Sequence, residues 1–200
     1  MQKVRILRGP PPKKKIRPHN IRKVALPALR RDFKDRCAYS MQHMDMGGGL
    51  LTMEVDHHDA SLPTRYRNRY DNLFLSSRHC NNSKRARPTH EEKKQGKRFL
   101  NPCKELDYDY QIFEDPRDHH VWGTTIEARY HIIYCDLNAP HLRRERSRRK
   151  TIKTELNSRP ARIEAPFEDF ARAFRLLQQL CDLMILDIRF KVDPDGLLTA

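Results

Sequence analysis

Residues 53–60 read MEVDHHDA and residues 70–84 read YDNLFLSSRHCNNSK, and these two segments decide the fold of the chain. The run from Leu50 to Asp56 and the run from Asn72 to Ser76 each have the length and composition of a short strand. A basic loop joins them. After the second run, the pattern predicts a helix from Arg78 to about Arg87, which a proline then stops. The sequence therefore predicts a β-hairpin followed at once by a helix.

The polar residues of these segments have a specific spacing. Asp56 and His57 close the first strand, Asn72 follows fifteen residues after the histidine, and the motif Cys-Asn-x-x-Lys places Asn81 nine residues after Asn72. In this pattern the chain resembles the HNH endonucleases, whose site is a β-hairpin and a helix around one divalent metal ion. The resemblance implies an α+β fold, in which a ββα-metal HNH core is flanked by an N-terminal helix and by C-terminal helices.

The resemblance also implies a role for each of these residues. His57 matches the general base, and an imidazole titrates near neutral pH, as such a base requires. Asn72 matches the residue that pins the hairpin and helps to orient the base. Asp56 and Asn81 match the metal ligands, so the chain is similar to the His-Asn-Asn variety of the family. His58 is a second candidate for the base, but the Asp-His order favours His57.

Hard oxygen donors at Asp56 and Asn81 favour Mg²⁺ or Mn²⁺ over Zn²⁺ as the catalytic ion. Lys84 lies one helical turn beyond Asn81 and is expected to contact a phosphate group of the nucleic acid. Further candidates for nucleic-acid binding are arginines of the helix and of the basic loop, each of which can also be a solvated surface cation: Arg78, Arg85, Arg87, Arg65, Arg67 and Arg69.

Many members of the family hold a structural zinc ion with two Cys-x-x-Cys pairs. In this chain the first pair reads Cys37-Ala-Tyr-Ser40 and the second reads Ser77-Arg-His-Cys80, so each has lost one cysteine. Two thiolates cannot complete a closed tetrahedral site. We therefore do not expect a structural zinc ion, although His43 or His79 could supply a further ligand.

Composition points to a polyanionic partner. The chain has 200 residues, a formal net charge of +14 and a pI of about 9.8. Clustered lysine and arginine side chains release counterions from phosphates, which makes nucleic acid the expected partner and an anionic membrane surface the competing one.

No segment approaches the roughly 18 apolar residues of a membrane span. Five cysteines without disulfide spacing fit a reducing compartment, so we expect a cytoplasmic protein.

Three regions are predicted along the chain: a basic, proline-rich arm over residues 1–20, an HNH nuclease core over 21–98, and an extension over 99–200 with short strands and two C-terminal helices. The core should begin with a helix from Ile21 to Arg36, in which Pro27 limits where the helix starts. The elements expected in the extension are two strands around a turn at Asp115–Asp118, a helix or strand over Ile126–Tyr134, a basic helix from about Pro140, and an apolar helix over Pro166–Phe190.

Four segments of the extension carry a second, looser resemblance: residues 99–103, 110–115, 122–125 and 136–146. They are similar to HNH proteins of bacterial anti-phage systems of the Septu and retron types, which pair the nuclease with an ATPase. The resemblances together predict a metal-dependent endonuclease that hydrolyses phosphodiester bonds, with double-stranded DNA as the expected substrate and a partner ATPase. The residues leave RNA open as a substrate. The alternative function is a non-catalytic nucleic-acid-binding protein, associated with RNA or the ribosome, on an HNH-like scaffold.

Overall fold

The computed structural model describes residues 6–104, 111–158, 161–162, 191–192 and 197–199, and it has a mixed α+β fold. The chain divides into two compact units, Met1–Arg143 and Arg144–Ala200. Its helices and strands are α1 (Ile21–Phe33), β1 (Met53–His57), α2 (Thr64–Arg67), β2 (Leu73–Ser77), α3 (Arg78–Lys84), α4 (His90–Lys94), β3 (Ile112–Glu114), β4 (Val121–Gly123), α5 (Ile126–Tyr134), α6 (Pro140–Ser158), β5 (Ala161–Arg162), β6 (Lys191–Val192) and β7 (Leu197–Thr199).

The antiparallel hairpin β1–β2 is the centre of the first unit. Its register pairs Met53 with Ser77 and His57 with Leu73. Every residue of β2 is buried. Because successive side chains of a strand point to opposite faces, both faces of β2 are covered. Helices α1 and α3 both pack against the two strands, and the Ser77 hydroxyl caps α3 by accepting a hydrogen bond from the backbone N–H of Cys80.

Helix α1 presents an apolar stripe to this hairpin. Its buried residues include Leu26, Leu29 and Phe33, at the spacing of one helical face. The helix ends at Phe33 rather than at the predicted Arg36, because the next residue adopts a left-handed conformation. Pro27 lies inside the helix and does not limit its start. Its ring is exposed, so the carbonyl that loses its hydrogen bond can face water.

Two other boundaries differ by more than one residue from those predicted, and one segment predicted as a loop contains a helix. Strand β1 begins at Met53 because residues 50–52 form a 3₁₀ turn. Helix α3 ends at Lys84 rather than near Arg87, since Arg85 has a φ of 56° and leaves the helical region. The loop between the strands contains the short helix α2.

In the extension, the predicted strands around residues 115–118 are confirmed as β3 and β4, which pair antiparallel. Ile126–Tyr134 is a helix, α5, capped by the Thr125 hydroxyl. A helix also begins at Pro140, as predicted. The apolar helix expected over residues 166–190 lies outside the described residues. In the second unit, β5 and β6 both pair antiparallel with β7.

The first described residues of the predicted arm pack on the core of the first unit. The backbone N–H of Ile6 donates to the carbonyl of Pro102 at 3.0 Å. The Arg8 guanidinium donates to the carbonyls of Tyr70 and Leu73 at 2.6 and 3.0 Å. It also lies over the Tyr70 ring, 4.3 Å from the centroid. These contacts tie the chain before α1 to the start of β2.

None of the helices that the structure describes has the length and apolar character needed to cross a membrane.

His131 on α5 is buried in the core of the first unit with no exposed surface. Its Nδ1 accepts a hydrogen bond from the backbone N–H of Leu100 at 3.2 Å. Burial is the main cause that lowers the pKa of His131 to about 3; a hydrogen bond to the backbone of Tyr39 opposes this, and the nearby Lys84 ammonium adds to it. The neutral imidazole is therefore part of the folded structure.

We predict that this histidine makes stability depend on pH. Unfolded His131 binds a proton below its ordinary pKa of about 6.5, whereas folded His131 stays neutral until about pH 3. The contribution of His131 to the free energy of unfolding is therefore fully present above about pH 6.5. It falls as the pH drops below that value, by up to about 1.4 kcal/mol per pH unit. Urea unfolding of the wild type and of His131→Asn at pH 7, 6 and 5 should show that the free energy of unfolding depends less steeply on pH in the variant.

His90→Gln, which changes an exposed histidine, is the matched control and should keep the wild-type slope. Equal slopes in all three chains would contradict the prediction.

Candidate functional site

His57 is the last residue of β1, and its ring is held by the basic loop. The Nε2 atom lies 2.9 Å from Oδ1 of Asn68. An amide oxygen only accepts hydrogen bonds, so Nε2 carries the ring proton in the neutral imidazole. Nδ1 then keeps the lone pair. The geometry leaves one nitrogen of His57 with the electron pair that a general base needs.

Asn68 was missed at the sequence level, where Asn72 was assigned the task of orienting the base. The only signal for it is its position as the one amide among the arginines of the segment Arg65–Arg69. Its contact with His57 depends on how the loop folds back over the strand, which residue spacing alone does not reveal.

Asn72 is buried and braces the loop at the base of the hairpin. Its Oδ1 accepts from the backbone N–H of Asp59 at 2.9 Å, and its Nδ2 donates to the carbonyls of Asp59 and Arg67 at 3.1 and 2.9 Å. The Asn72 carbonyl also accepts from the backbone N–H of His58 at 2.8 Å. One side chain thus fixes both ends of the loop that carries Asn68, and so acts on His57 indirectly.

Asp56 points into the interior and is 5% exposed. The Lys84 ammonium lies 3.2 Å from its Oδ1 and 3.1 Å from its Oδ2. The Tyr39 hydroxyl donates a hydrogen bond to Oδ2. Burial raises the pKa of Asp56, and Lys84 and Tyr39 counter part of that rise. Both oxygens of the predicted metal ligand therefore already have donors from the protein.

Lys84 is also placed differently from the predicted phosphate contact. Its side chain has no exposed surface. Besides Asp56, the ammonium donates to the carbonyl of His57 at 2.7 Å and lies 5.0 Å from the centroid of the Phe99 ring. In this conformation Lys84 neutralises Asp56 inside the protein and does not reach a ligand at the surface.

Asn81 contacts a residue that the sequence-level assignment did not include. Its Nδ2 donates to Oε2 of Glu54 at 2.6 Å. Arg78 binds the other oxygen of the same carboxylate at 3.1 Å and donates to the carbonyl of Leu51 at 2.9 Å. Glu54 could have been found from strand periodicity, because residues two apart on β1 share a face and α3 packs on that strand. The structure thus gives Asp56 and Asn81 different partners.

In this arrangement the residues do not fit a divalent ion. The Asp56 carboxylate is enclosed by an ammonium and a hydroxyl, and the Asn81 amide is turned by its N–H toward Glu54. Among the residues that the structure describes, no group of three or more His, Cys, Asp or Glu side chains is placed to hold a metal ion.

The remaining cations surround the loop and the end of α3. Arg65, Arg69 and Arg85 are exposed. The Arg65 guanidinium lies 4.6 Å from the Tyr66 ring centroid, and Arg69 is 3.4 Å from Asp71. Two of the predicted cations have partners nearer the core: Arg67 donates to the carbonyl of Leu62 at 3.2 Å, and Arg87 pairs with Glu92 and lies over the Tyr134 ring.

The four positions of the altered cysteine pairs converge, although only two of them are cysteines. Cys37 and Cys80 are both buried. Burial alone would raise the pKa of the Cys37 thiol, but hydrogen bonds from Cys80, from Ser40 and from the backbone of Ser77 outweigh it and lower that pKa. The pKa of Cys80 is raised by its hydrogen bond to Cys37 and by burial. This cluster joins the segment before β1 to the start of α3.

No family model, no curated protein and no solved structure matches the chain.

We predict that Asp56 and Lys84 stabilise the fold as a coupled pair. Lys84→Met leaves a buried carboxylate without its counterion and should cost about 3–5 kcal/mol, as breaking a buried ion pair commonly does. Asp56→Asn together with Lys84→Met removes both charges and should cost clearly less than the sum of the two single changes. Urea unfolding of the four chains at pH 7 gives the coupling energy. Strict additivity would show that the pair is not coupled.

Proposed function

We propose that the chain is an endonuclease of the HNH type that hydrolyses phosphodiester bonds of DNA. The observation that carries the proposal is the His57 imidazole at the end of β1, which is tied through Nε2 to Asn68 and keeps a lone pair on Nδ1. The hairpin that presents it passes directly into helix α3, which supports comparison with a ββα nuclease core. The net charge of +14 supports a nucleic-acid substrate.

In the proposed reaction, Nδ1 of His57 removes a proton from a water molecule as the water oxygen attacks phosphorus. A new oxygen–phosphorus bond forms and the bond to the 3′ oxygen breaks, which leaves a 5′-phosphate and, after proton uptake, a 3′-hydroxyl, as the family resemblance implies. Asn68 fixes the proton on Nε2 and stabilises the imidazolium that forms. The exposed cations Arg65, Arg69 and Arg85 neutralise neighbouring phosphates.

The proposal includes dependence on Mg²⁺ or Mn²⁺, which is expected from the resemblance. A carboxylate that is shared by Lys84 and Tyr39 is not free to bind an ion. Binding at Asp56 therefore requires the Lys84 ammonium to leave the carboxylate.

Cleavage of supercoiled plasmid DNA with Mg²⁺ or Mn²⁺ tests the nuclease. His57→Ala should abolish cutting because the base is lost, and Asn68→Ala should reduce the turnover rate by about tenfold or more because the ring is no longer oriented. The exposed His120 offers a matched control, since His120→Ala should cut like the wild type. Filter binding checks that all four chains still bind DNA. Unchanged cutting by His57→Ala would refute the assignment.

Binding of Mn²⁺, followed by electron paramagnetic resonance without DNA, tests the ion site separately. Lys84→Met should bind Mn²⁺ more tightly than the wild type, because the competing cation is gone and the carboxylate remains. Asp56→Asn with Lys84→Met should lose this gain. Equal affinity in the single and the double variant would exclude Asp56 as a ligand.

The second candidate function is a non-catalytic nucleic-acid-binding protein. It is favoured by the full engagement of Asp56 by Lys84 and Tyr39, which gives the carboxylate a structural task. Salt-dependent binding of DNA or RNA without cleavage at any metal concentration would support this function over the first.

We further propose that the nuclease acts in bacterial anti-phage defence with a partner ATPase. This rests on the looser resemblance of residues 99–146. The test is to isolate the native complex. We expect an ATPase activity to co-purify with the chain, and we expect the chain alone to show no nuclease activity.

A further inference from the structure

A cavity of about 440 Å³ lies on the side of the basic loop, in the first unit. One wall is formed by the chain after β1, including His58, Tyr66 and Asn72, and the other by the segment after α4, including Phe99. The volume is within the range of small-molecule sites. The proposed base and its orienting amide, His57 and Asn68, do not line this space, although Arg69 does.

The lining combines aromatic rings with positive charge. Three rings line it, those of His58, Tyr66 and Phe99. Four cationic side chains outnumber two carboxylates in the lining, which comprises Arg69, Lys93, Arg98 and Lys104 against Asp59 and Asp71. Two of these cations are paired with the carboxylates, Lys93 with Asp59 at 2.7 Å and Arg69 with Asp71 at 3.4 Å. The net lining charge therefore favours an anionic ligand that also has a flat ring.

One buried polar atom in this wall has no partner. Nδ1 of His58 is shielded from solvent and makes no hydrogen bond. The ring is held in place by stacking on Phe74, with centroids 4.4 Å apart. A buried ring nitrogen without a partner is uncommon and costs free energy. A polar ligand group recovers that cost when its binding shifts the groups that shield the nitrogen.

The cavity and the candidate base share one loop. Asn68 binds His57, while Tyr66 and Arg69, which are two and one residues away from Asn68, line the cavity. Asn72 closes the base of the same loop. A strand that places a phosphate at His57 therefore passes close to the cavity.

We propose that this cavity binds one nucleotide of the substrate strand next to the cleaved phosphodiester, with its base against the rings and the His58 nitrogen and its phosphate at the cationic side chains. The proposal rests on the nuclease function proposed above. It implies that this nucleotide is unpaired when bound, because a base that is stacked inside a duplex cannot also lie between the two walls of the cavity. The Arg65 guanidinium on the Tyr66 ring adds a cation to an aromatic stacking surface, a combination that binds single-stranded nucleic acid without reading its sequence.

Binding is tested with the full chain carrying His57→Ala, so that no probe is cut. The probes are a fluorescently labelled deoxythymidine trinucleotide, thymidine 5′-monophosphate as a competitor and inorganic phosphate as a competitor. Tyr66→Leu should weaken trinucleotide binding about tenfold, which is the usual effect of losing one stacking ring. His58→Phe keeps the ring stacked on Phe74 but removes the nitrogen, and it should weaken binding less.

The matched control is Trp122→Leu, which removes an exposed ring that does not line the cavity. It should bind the trinucleotide like its parent. Equal affinities in Tyr66→Leu and Trp122→Leu would overturn the proposal, as would displacement of the trinucleotide by phosphate at the same concentration as by the monophosphate. If the monophosphate binds as tightly as the trinucleotide, the site takes a free nucleotide and its placement in the substrate strand is overturned.

A cleavage assay separates failure of this inference from failure of the nuclease. The otherwise wild-type chain should cut a duplex with an unpaired stretch faster than a fully paired one, and Tyr66→Leu should lose that preference while still cutting. Cutting with the same preference in both chains would overturn the nucleotide site and leave the nuclease intact. If no substrate is cut, the nuclease function fails, and the binding experiment still decides whether the cavity takes a nucleotide.

Discussion

The Lys84 ammonium crosses from α3 to the last two residues of β1, where it meets both oxygens of Asp56 and the carbonyl of His57. Tyr39 completes the group from the segment before the hairpin. Three separate parts of the first unit, the Cys37 segment, the first strand and the helix after the second strand, are therefore joined at one buried charge pair. Because an unpaired charge cannot remain in such an interior, each of these parts must be in place for the others to be stable.

The same arrangement defines two sides of β1. Asp56 and Glu54 face α3 and are bound by its side chains, whereas His57 is held by the loop. The proposed chemistry on the loop side and the structural support on the helix side are thus divided between neighbouring residues of one strand. This division gives the two residues of the Asp-His pair different surroundings at adjacent positions. Ion binding at Asp56 would depend on Lys84, whose ammonium contacts both residues.

Much of the fold follows from local pattern, and much of the site does not. The length and composition of short runs, and the turn residues between them, were enough to predict the hairpin, the helix after it and the strand pair β3–β4, since these elements are set by residues close in sequence. The burial of Lys84 could not be predicted that way. Helical spacing placed it correctly on the face of Asn81, but only the packing of Phe99 and Tyr39, both distant in sequence, makes that face an interior one. Asn68 and the cavity likewise depend on the path of a loop, which spacing does not determine.

The three hydrogen bonds of the Asn72 side chain have a consequence for how such a chain can diversify. They close the loop onto itself at Asp59 and Arg67, before its ends enter the strands. The residues between Asp59 and Arg67 therefore form a loop that is closed by its own hydrogen bonds to Asn72 rather than by the pairing of the strands. Substitutions near Tyr66 are therefore expected to leave the register of β1 and β2 unchanged, so the surface of this loop can vary while the framework of the hairpin stays the same.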